Sequence, residues 1–102
     1  MIYVLATIEI ADGKRAEFVK IFRDNVANVL AEEGCIEYEP TIDVDTDIAA
    51  QPDVRPNVVT VVEKWESFDA LEAHLIAPHM LEYRKKVKDL VAGASLQILE
   101  PA

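Results

Sequence analysis

The residues best suited to chemistry gather in one stretch of the sequence, from Val62 to Met80. Both histidines of the chain, His74 and His79, and its only tryptophan, Trp65, fall within this stretch. An imidazole with an ordinary pKa of about 6.5 accepts a proton at neutral pH, as a general base must. We therefore expect any chemistry of this protein to be centred here.

His74 is the best candidate for a base. It follows Leu71 by three residues on a predicted helix, at the margin of the buried stripe, from where it can point into a pocket. The alternative is a partly buried histidine that only hydrogen-bonds to a carbonyl group. His79 follows Pro78 in the first turn of a helix, where the helix dipole disfavours the protonated ring. A place at a pocket rim or a structural role fits His79 better than catalysis.

Glu63 and Trp65 lie on one face of a predicted strand, residues 58–65. A carboxylate on an otherwise apolar strand needs a partner, so Glu63 either orients His74 or pairs with a cation such as Arg84. Trp65 is expected in the core more than in a pocket wall, because aromatic side chains dominate core burial.

Metal binding is not expected at the two histidines. His74 and His79 are five residues apart, and Pro78 between them breaks the helical register that brings two ligands together. Cys35 is the only cysteine, so it has no partner for an internal disulfide. A lone cysteine agrees with a reducing compartment and predicts a cytoplasmic protein.

The elements that position these residues follow from the hydrophobic periodicity. Apolar residues alternate over residues 2–10, recur at helical spacing from Lys14 to about Glu32, and alternate again from Cys35 to about Val44. Gly34 is placed to end the helix with positive φ. A proline within the second strand, Pro40, predicts an edge position or a bulge. A polar connector over residues 45–57 precedes the strand over residues 58–65.

The second half of the chain has the pattern of a broken helix and a last strand. Ser67 is the predicted N-cap of a helix built on Phe68, Leu71 and Leu75. Proline suits a first helical position, so a new helical part begins at Pro78; its buried stripe is Met80, Tyr83, Val87 and Leu90. We expect Gly93 to close it and Ala94–Glu100 to form the last strand. The resulting order, βαββαβ in a single domain over residues 1–102, predicts an α+β, ferredoxin-like fold with an antiparallel sheet.

The two faces of this sheet predict a dimer. Two helices cover only one face, yet the first and third strands carry apolar residues on both. Burying one such side chain gains roughly 1.5–3 kcal/mol, so an uncovered apolar face is typical of an interface. A second copy of the chain, packed sheet against sheet, is the simplest cover, and we expect a homodimer.

The charge of the chain restricts its partners. The formal net charge is −9 at pH 7, which repels phosphate backbones and anionic lipids, so we expect neither nucleic acid nor a membrane as a partner. No apolar run has the length of a membrane span. The apolar stretch Met1–Ala6 lacks the basic flank of a signal peptide and is interpreted as a strand.

One run of the sequence, Glu63 to His79, has the form E-x-W-E-S-x-x-x-L-E-A-H-L-x-x-P-H. Together with Glu32-Glu33-Gly34-Cys35, with Tyr38 and Pro40, and with the closing Ile98-Leu99-Glu100-Pro101, it resembles the antibiotic biosynthesis monooxygenase family. Within that family the chain is most similar to the small quinol monooxygenases.

The resemblance implies a dimeric α+β barrel of ferredoxin-like protomers, each with an apolar pocket between its sheet and its helices. It also implies oxidation of a phenolic or quinol substrate by O₂ without metal, flavin or haem. The haem-degrading branch of the family carries an asparagine and a haem-ligating histidine where this chain has Thr7 and Arg84, so haem is not expected. The predicted catalytic residues are His74 and Glu63. The predicted substrate contacts are Trp65, His79, Tyr38, Tyr83 and Thr7.

Two other functions remain open at the level of sequence, because a fold alone does not determine function. The same dimeric barrel also hosts isomerases of small oxygenated metabolites, which likewise need only a base and a pocket. A non-catalytic binder of small molecules is the other alternative.

Overall fold

A computed structural model describes every residue from Met1 to Ala102. The chain forms four strands and three helices, in the order β1 Ile2–Ile10, α1 Arg15–Leu30, β2 Cys35–Thr41, β3 Val58–Trp65, α2 Phe68–Leu75, α3 Pro78–Val87 and β4 Val91–Leu99. The strands build one sheet in the order β2-β3-β1-β4, and every neighbouring pair is antiparallel. This confirms the predicted ferredoxin-like α+β fold.

The central strands β1 and β3 pair in a register that gives the sheet one buried face. Val4 lies opposite Glu63 and Ala6 opposite Val61, and residues opposite each other in a ladder point to the same side. Val4, Val61 and the neighbouring Trp65 are at most 1% exposed. The alternation in the sequence therefore marks the face that the helices cover.

The helices meet this face through aromatic side chains. Phe18 and Phe22 of α1 are buried, and the Phe22 ring stacks on Tyr38 of β2 with the ring centres 5.2 Å apart. The α2 N-cap is confirmed, because Ser67 Oγ accepts a hydrogen bond from Ala70 N at 3.1 Å. Pro78 occupies the start of α3, as predicted.

Helix ends depart from the predicted stripes. Leu30 closes α1 two residues before the predicted end, and its side chain is 48% exposed, while Phe68 opens α2 and is 50% exposed. The periodicity predicts both on buried faces. Each is the terminal residue of its helix, so the buried stripe is shorter at these two ends than the periodicity predicts.

The second strand is shorter than predicted. It ends at Thr41, and the side chains of Ile42 and Val44 are 51% and 69% exposed. The chain turns away there into the connector, which is braced by an ion pair between Arg55 and Asp43 at 2.9 Å. That guanidinium lowers the pKa of the Asp43 carboxyl to about 2.

The proline in this strand has the place predicted for it. β2 is an edge strand, and its pairing with β3 shifts register between Cys35 and Glu37. Because of that bulge, Ile36 is exposed while Tyr38 and Pro40 are buried. Strict alternation over this strand predicts Ile36 and Tyr38 on one face, and the bulge makes that prediction wrong.

The last strand begins at Val91 rather than Ala94, so Gly93 lies inside β4 instead of closing a helix. Gly93 is paired with Glu9 of β1. A Cβ atom at position 93 would lie 2.8 Å from Glu9 Oε2, so a residue with a side chain would force Glu9 to move. The glycine predicted as a stop signal is here a site of close approach between two strands.

The other face of the sheet has no helix against it. Leu5 lies opposite Val62 on this face and is 39% exposed, with Tyr3 at 37% and Leu99 at 42%. We name this surface the open sheet face. None of the three helices has the length and apolar character needed to cross a membrane.

The close packing of α2 on the turn after α1 depends on Gly34. This residue has a φ of 81°, and a Cβ atom added to it would lie 2.6 Å from Ala70 Cβ on α2. Gly13 has a φ of 75°, and a Cβ atom added there would have no other atom within 4 Å. The two glycines share a backbone conformation and differ in the space around them.

We predict that Gly13→Ala lowers the free energy of unfolding by about 1–2 kcal/mol, the cost of a left-handed alanine. Gly34→Ala should cost roughly 1–3 kcal/mol more, because it adds overpacking against α2. Urea unfolding of the two variants measures the difference. Equal losses in both would show that the contact with Ala70 relaxes without cost.

Candidate active site

A cavity of about 380 Å³ lies between the helices and the helix-covered face of the sheet. Twelve of its sixteen lining residues are hydrophobic, and the other four are Glu63, His74, Arg84 and Ser95. The hydrophobic part of the lining is Ala6, Ile8, Phe22, Tyr38, Val61, Leu75, Met80, Tyr83, Val87, Val91, Ala94 and Leu96. A mostly apolar pocket with a few polar groups is the usual form of a site for a small organic ligand.

His74 is the most deeply placed polar residue of this cavity. Its side chain is 2% exposed, and its Nδ1 atom lies 2.8 Å from Glu32 Oε2. The imidazole packs against the ring of Trp65, with centres 4.7 Å apart, and against the edge of Tyr38 at 5.4 Å. Three groups therefore fix the position and orientation of this ring.

The protonation of His74 follows from its surroundings. Burial lowers its pKa below the ordinary value, and the hydrogen bond to Glu32 opposes that shift only in part. The ring is therefore neutral at pH 7, and Nδ1 donates its hydrogen to the Glu32 carboxylate. No protein group hydrogen-bonds to Nε2, so its lone pair is free to accept a proton from a ligand.

Glu32 is the residue that the sequence reasoning missed. It lies in the turn between α1 and β2, 42 positions from His74 along the chain. Glu63 is predicted from sequence either to orient His74 or to pair with Arg84, and neither contact is present. A buried histidine needs a polar partner, and that need is the one sequence feature that could have indicated Glu32. It does not distinguish Glu32 from the adjacent Glu33.

Glu63 hydrogen-bonds to Trp65 rather than to His74 or Arg84, and its protonation differs from that of an ordinary carboxylate. Its side chain is 6% exposed, and Oε1 accepts a hydrogen bond from Trp65 Nε1 at 3.0 Å. Burial raises its pKa to about 7, and the hydrogen bond from Trp65 offsets part of that rise. A large fraction of this carboxyl is therefore protonated at neutral pH, and the same cavity holds a neutral base and a carboxylic acid.

Two tyrosines complete the polar lining. Tyr38 and Tyr83 are 6% and 9% exposed, and burial raises the pKa of both phenols well above the ordinary value. Both hydroxyl groups therefore keep their protons at neutral pH and are available as hydrogen-bond donors.

Two of the predicted substrate contacts lie away from the helix-side clefts altogether. Trp65 is fully buried at 0% exposure and supports Glu63 and His74 from behind. Thr7 lies opposite Thr60 on the open sheet face, on the other side of the sheet. Thr7 occupies an odd position of β1, and the side chains at odd positions point away from the helices. The β1 residues that line the cavity, Ala6 and Ile8, occupy even positions.

His79 lines a second, more polar cleft of about 290 Å³ between α1 and α3. Its Nε2 atom lies 3.2 Å from the Glu32 oxygen that also contacts His74. The expectation that Pro78 separates the two histidines is therefore wrong, because the corner between α2 and α3 turns both rings toward Glu32. No group of three or more histidine, cysteine or carboxylate side chains is arranged to hold a metal ion.

Comparison with known proteins gives a consistent result. The family described as antibiotic biosynthesis monooxygenase matches residues 1–86. The chain is 37% identical over 103 residues to the protein named probable quinol monooxygenase YgiN of Escherichia coli K12, covering 99% of this chain and 98% of that protein.

Solved structures show the same fold. PA3566 from Pseudomonas aeruginosa superposes with a TM-score of 0.80 at 24% identity, over 99% of this chain and 93% of that one. A conserved protein from Methanosarcina mazei gives a TM-score of 0.82 at 22% identity, over 99% and 92% of the two chains.

The buried carboxyl of Glu63 generates a stability prediction. Its pKa is 4.5 in the ordinary state and about 7 in the fold, so between these values the native state binds more protons than the unfolded chain. The free energy of unfolding therefore falls as pH rises through this window, by up to roughly 3 kcal/mol. Glu63→Gln keeps an acceptor for Trp65 and removes the titration.

We expect Glu63→Gln to gain stability relative to the wild type between pH 5 and pH 8, measured by urea unfolding. The exposed Glu72 on α2 supplies the control, because Glu72→Gln should show no such pH-dependent gain. A constant difference between Glu63→Gln and the wild type across this range would contradict the raised pKa.

Proposed function

Because the chain belongs to the antibiotic biosynthesis monooxygenase family, we propose that it is a monooxygenase that oxidises a quinol or a related phenolic compound with O₂. The observation that supports this most is the apolar cavity in which a neutral His74 has an unpaired Nε2 atom. Such a site binds a flat aromatic ring by burial and removes a proton from its hydroxyl group.

The chemistry begins with proton transfer from the substrate hydroxyl to His74 Nε2. The resulting imidazolium is stabilised by the Glu32 carboxylate, 2.8 Å from Nδ1. The substrate anion is electron-rich and passes an electron to O₂. Insertion of one oxygen atom and release of the other as water takes four electrons, and a hydroquinone supplies all four as it becomes a hydroxyquinone. The proposed reaction therefore needs no metal, flavin or haem.

The remaining polar groups suit the binding and protonation of oxygen atoms. Protonated Glu63 is a proton donor at neutral pH, and the hydroxyls of Tyr38 and Tyr83 are hydrogen-bond donors to a substrate or product oxygen. Arg84 adds a positive charge to the lining, which favours an anionic intermediate. The surrounding hydrophobic side chains exclude water and strengthen each of these interactions.

We further propose that the protein acts as a homodimer, in which the open sheet face of each copy covers that of the other. Tyr3, Leu5 and Leu99 are each more than a third exposed on this face, and their burial is favourable at about 25 cal/mol per Å². The free thiol of Cys35 fits a reducing compartment, and we place the reaction in the cytoplasm on that basis.

Oxygen uptake with reduced naphthoquinones tests the proposed reaction. We expect uptake above the spontaneous rate, and we expect His74→Ala to lower kcat by about 100-fold or more, the contribution of a general base. The rate of the wild type should rise with pH through a midpoint below about 6.5, because burial lowers the pKa of His74. Glu72→Gln, on the exposed side of the same helix, is the activity control.

Uptake no faster than the spontaneous rate with every quinol tested would refute the monooxygenase. Consumption of the substrate under strict anaerobiosis would favour an isomerase instead. Full activity in His74→Ala would remove only the assignment of the base.

The dimer is tested by light scattering coupled to size-exclusion chromatography. We expect the mass of two chains for the wild type and of one chain for Leu5→Glu, because the substitution puts a charge in the centre of the interface. Ile76→Glu is the control, since Ile76 is 75% exposed on the helical side, and it should stay dimeric. A monomeric wild type at micromolar concentration contradicts the proposal.

A further inference from the structure

A series of polar contacts leads from the surface cleft between α1 and α3 toward His74. Asn28 Nδ2 donates to Asn25 Oδ1 at 2.9 Å, so the carbonyl oxygen of Asn25 is already in use. The amide nitrogen of Asn25 lies 3.2 Å from His79 Nδ1. An amide nitrogen is only a donor, and therefore His79 Nδ1 accepts this hydrogen bond.

The contact with Asn25 determines where His79 carries its proton. A neutral imidazole that accepts at Nδ1 holds its hydrogen on Nε2. That Nε2 atom is buried, has no well-aligned hydrogen-bond partner, and lies 3.2 Å from Glu32 Oε2. Glu32 Oε2 is thus an acceptor at contact distance from this N–H group.

Glu32 Oε2 thus faces two imidazole N–H groups, one from each histidine. Two donors that face a single oxygen hold the carboxylate in place. They also leave His74 only one arrangement, with its hydrogen on Nδ1 and a lone pair on Nε2. Glu32 thereby connects the two sites, because His74 lines the cavity and His79 lines the cleft.

We propose that Asn25 and His79 are positioning residues that act through Glu32 to hold His74 in the tautomer whose unprotonated Nε2 faces the cavity. The consequence for catalysis rests on the proposed function, whereas the tautomers themselves do not. The tautomer of the proposed base is thereby determined by side chains near the protein surface that do not line the substrate cavity.

The charged and titratable neighbours of both rings are few. His74 faces Glu32 of the turn after α1, Tyr38 of β2, Glu63 of β3 and Arg84 of α3. The cleft around His79 contains Asp24 of α1 and Glu82 and Lys86 of α3. None of these cleft residues makes a hydrogen bond with His79, so Asn25 is its only partner on that side.

Nitrogen-15 NMR of the imidazole groups tests the proposal directly, because the chain has only two histidines. At pH 8 we expect opposite tautomers, with the hydrogen of His74 on Nδ1 and that of His79 on Nε2. His74→Asn assigns the signals by removing one set. A hydrogen on Nε2 of His74, or the same tautomer in both rings, overturns the proposal. This outcome does not depend on which substrate the protein uses.

Variants at position 25 test whether Asn25 determines the tautomer of His79 and, through Glu32, that of His74. In Asn25→Asp the new carboxylate accepts a hydrogen bond, so the hydrogen of His79 should move to Nδ1, and the fraction of His74 with a free Nε2 should fall. Asn57→Asp, at a distant asparagine that contacts Asp12, is the matched control and should leave both signals unchanged. Unchanged tautomers in Asn25→Asp would contradict the role of Asn25.

Variants at position 79 test whether the contact between His79 and Glu32 affects turnover. His79→Ala removes the second donor to Glu32, and we expect kcat to fall by about tenfold or more with KM little changed, since the substrate cavity is intact. His79→Gln offers an amide donor and should restore much of the rate. An equal loss in both variants would indicate a packing role and overturn the proposal. Absent oxygen uptake in the wild type refutes the proposed function and leaves the tautomer result to stand.

Discussion

The Glu32 carboxylate is the interaction on which the site depends. It lies in a short turn that ends α1 and begins β2, and its side chain reaches one histidine on α2 and another on α3. The same turn contains Gly34, whose carbonyl oxygen accepts a hydrogen bond from Glu66 N at 2.8 Å. A single segment thus joins the edge of the sheet to the broken helix and aims the imidazole into the cavity.

The cavity holds its buried carboxyl group and its buried imidazole largely in their uncharged states. Burial moves the pKa of Glu63 upward and that of His74 downward, so near pH 7 the base is neutral and much of the acid is protonated. An ion pair in the same place would cost several kcal/mol of desolvation. A neutral pair avoids that cost in the free protein and develops charge only when a ligand gives up its proton.

Periodicity predicted most of the fold because one buried face imposes a regular pattern on β1, β3 and α1. It predicted less where the pattern depends on a neighbour, as at Gly93, whose role comes from Glu9 on the adjacent strand. His74 was found from its residue type and its place on α2. Its partner Glu32 was not, because no local pattern connects residues 42 positions apart. Thr7 was predicted as a substrate contact, but it lies on the face of β1 opposite the cavity.

β4 contributes to the cavity in an unusual way. Leu96 and Ile98 lie opposite Ala6 and Val4, on the helix-covered face, yet they are 44% and 46% exposed because the helices stop short of this edge. The cavity is buried at His74, whereas Leu96 at its rim is half exposed and lies outside the core. For the proposed function, the β4 side chains that shape the entrance to the cavity are therefore different from the residues that hold the proposed base.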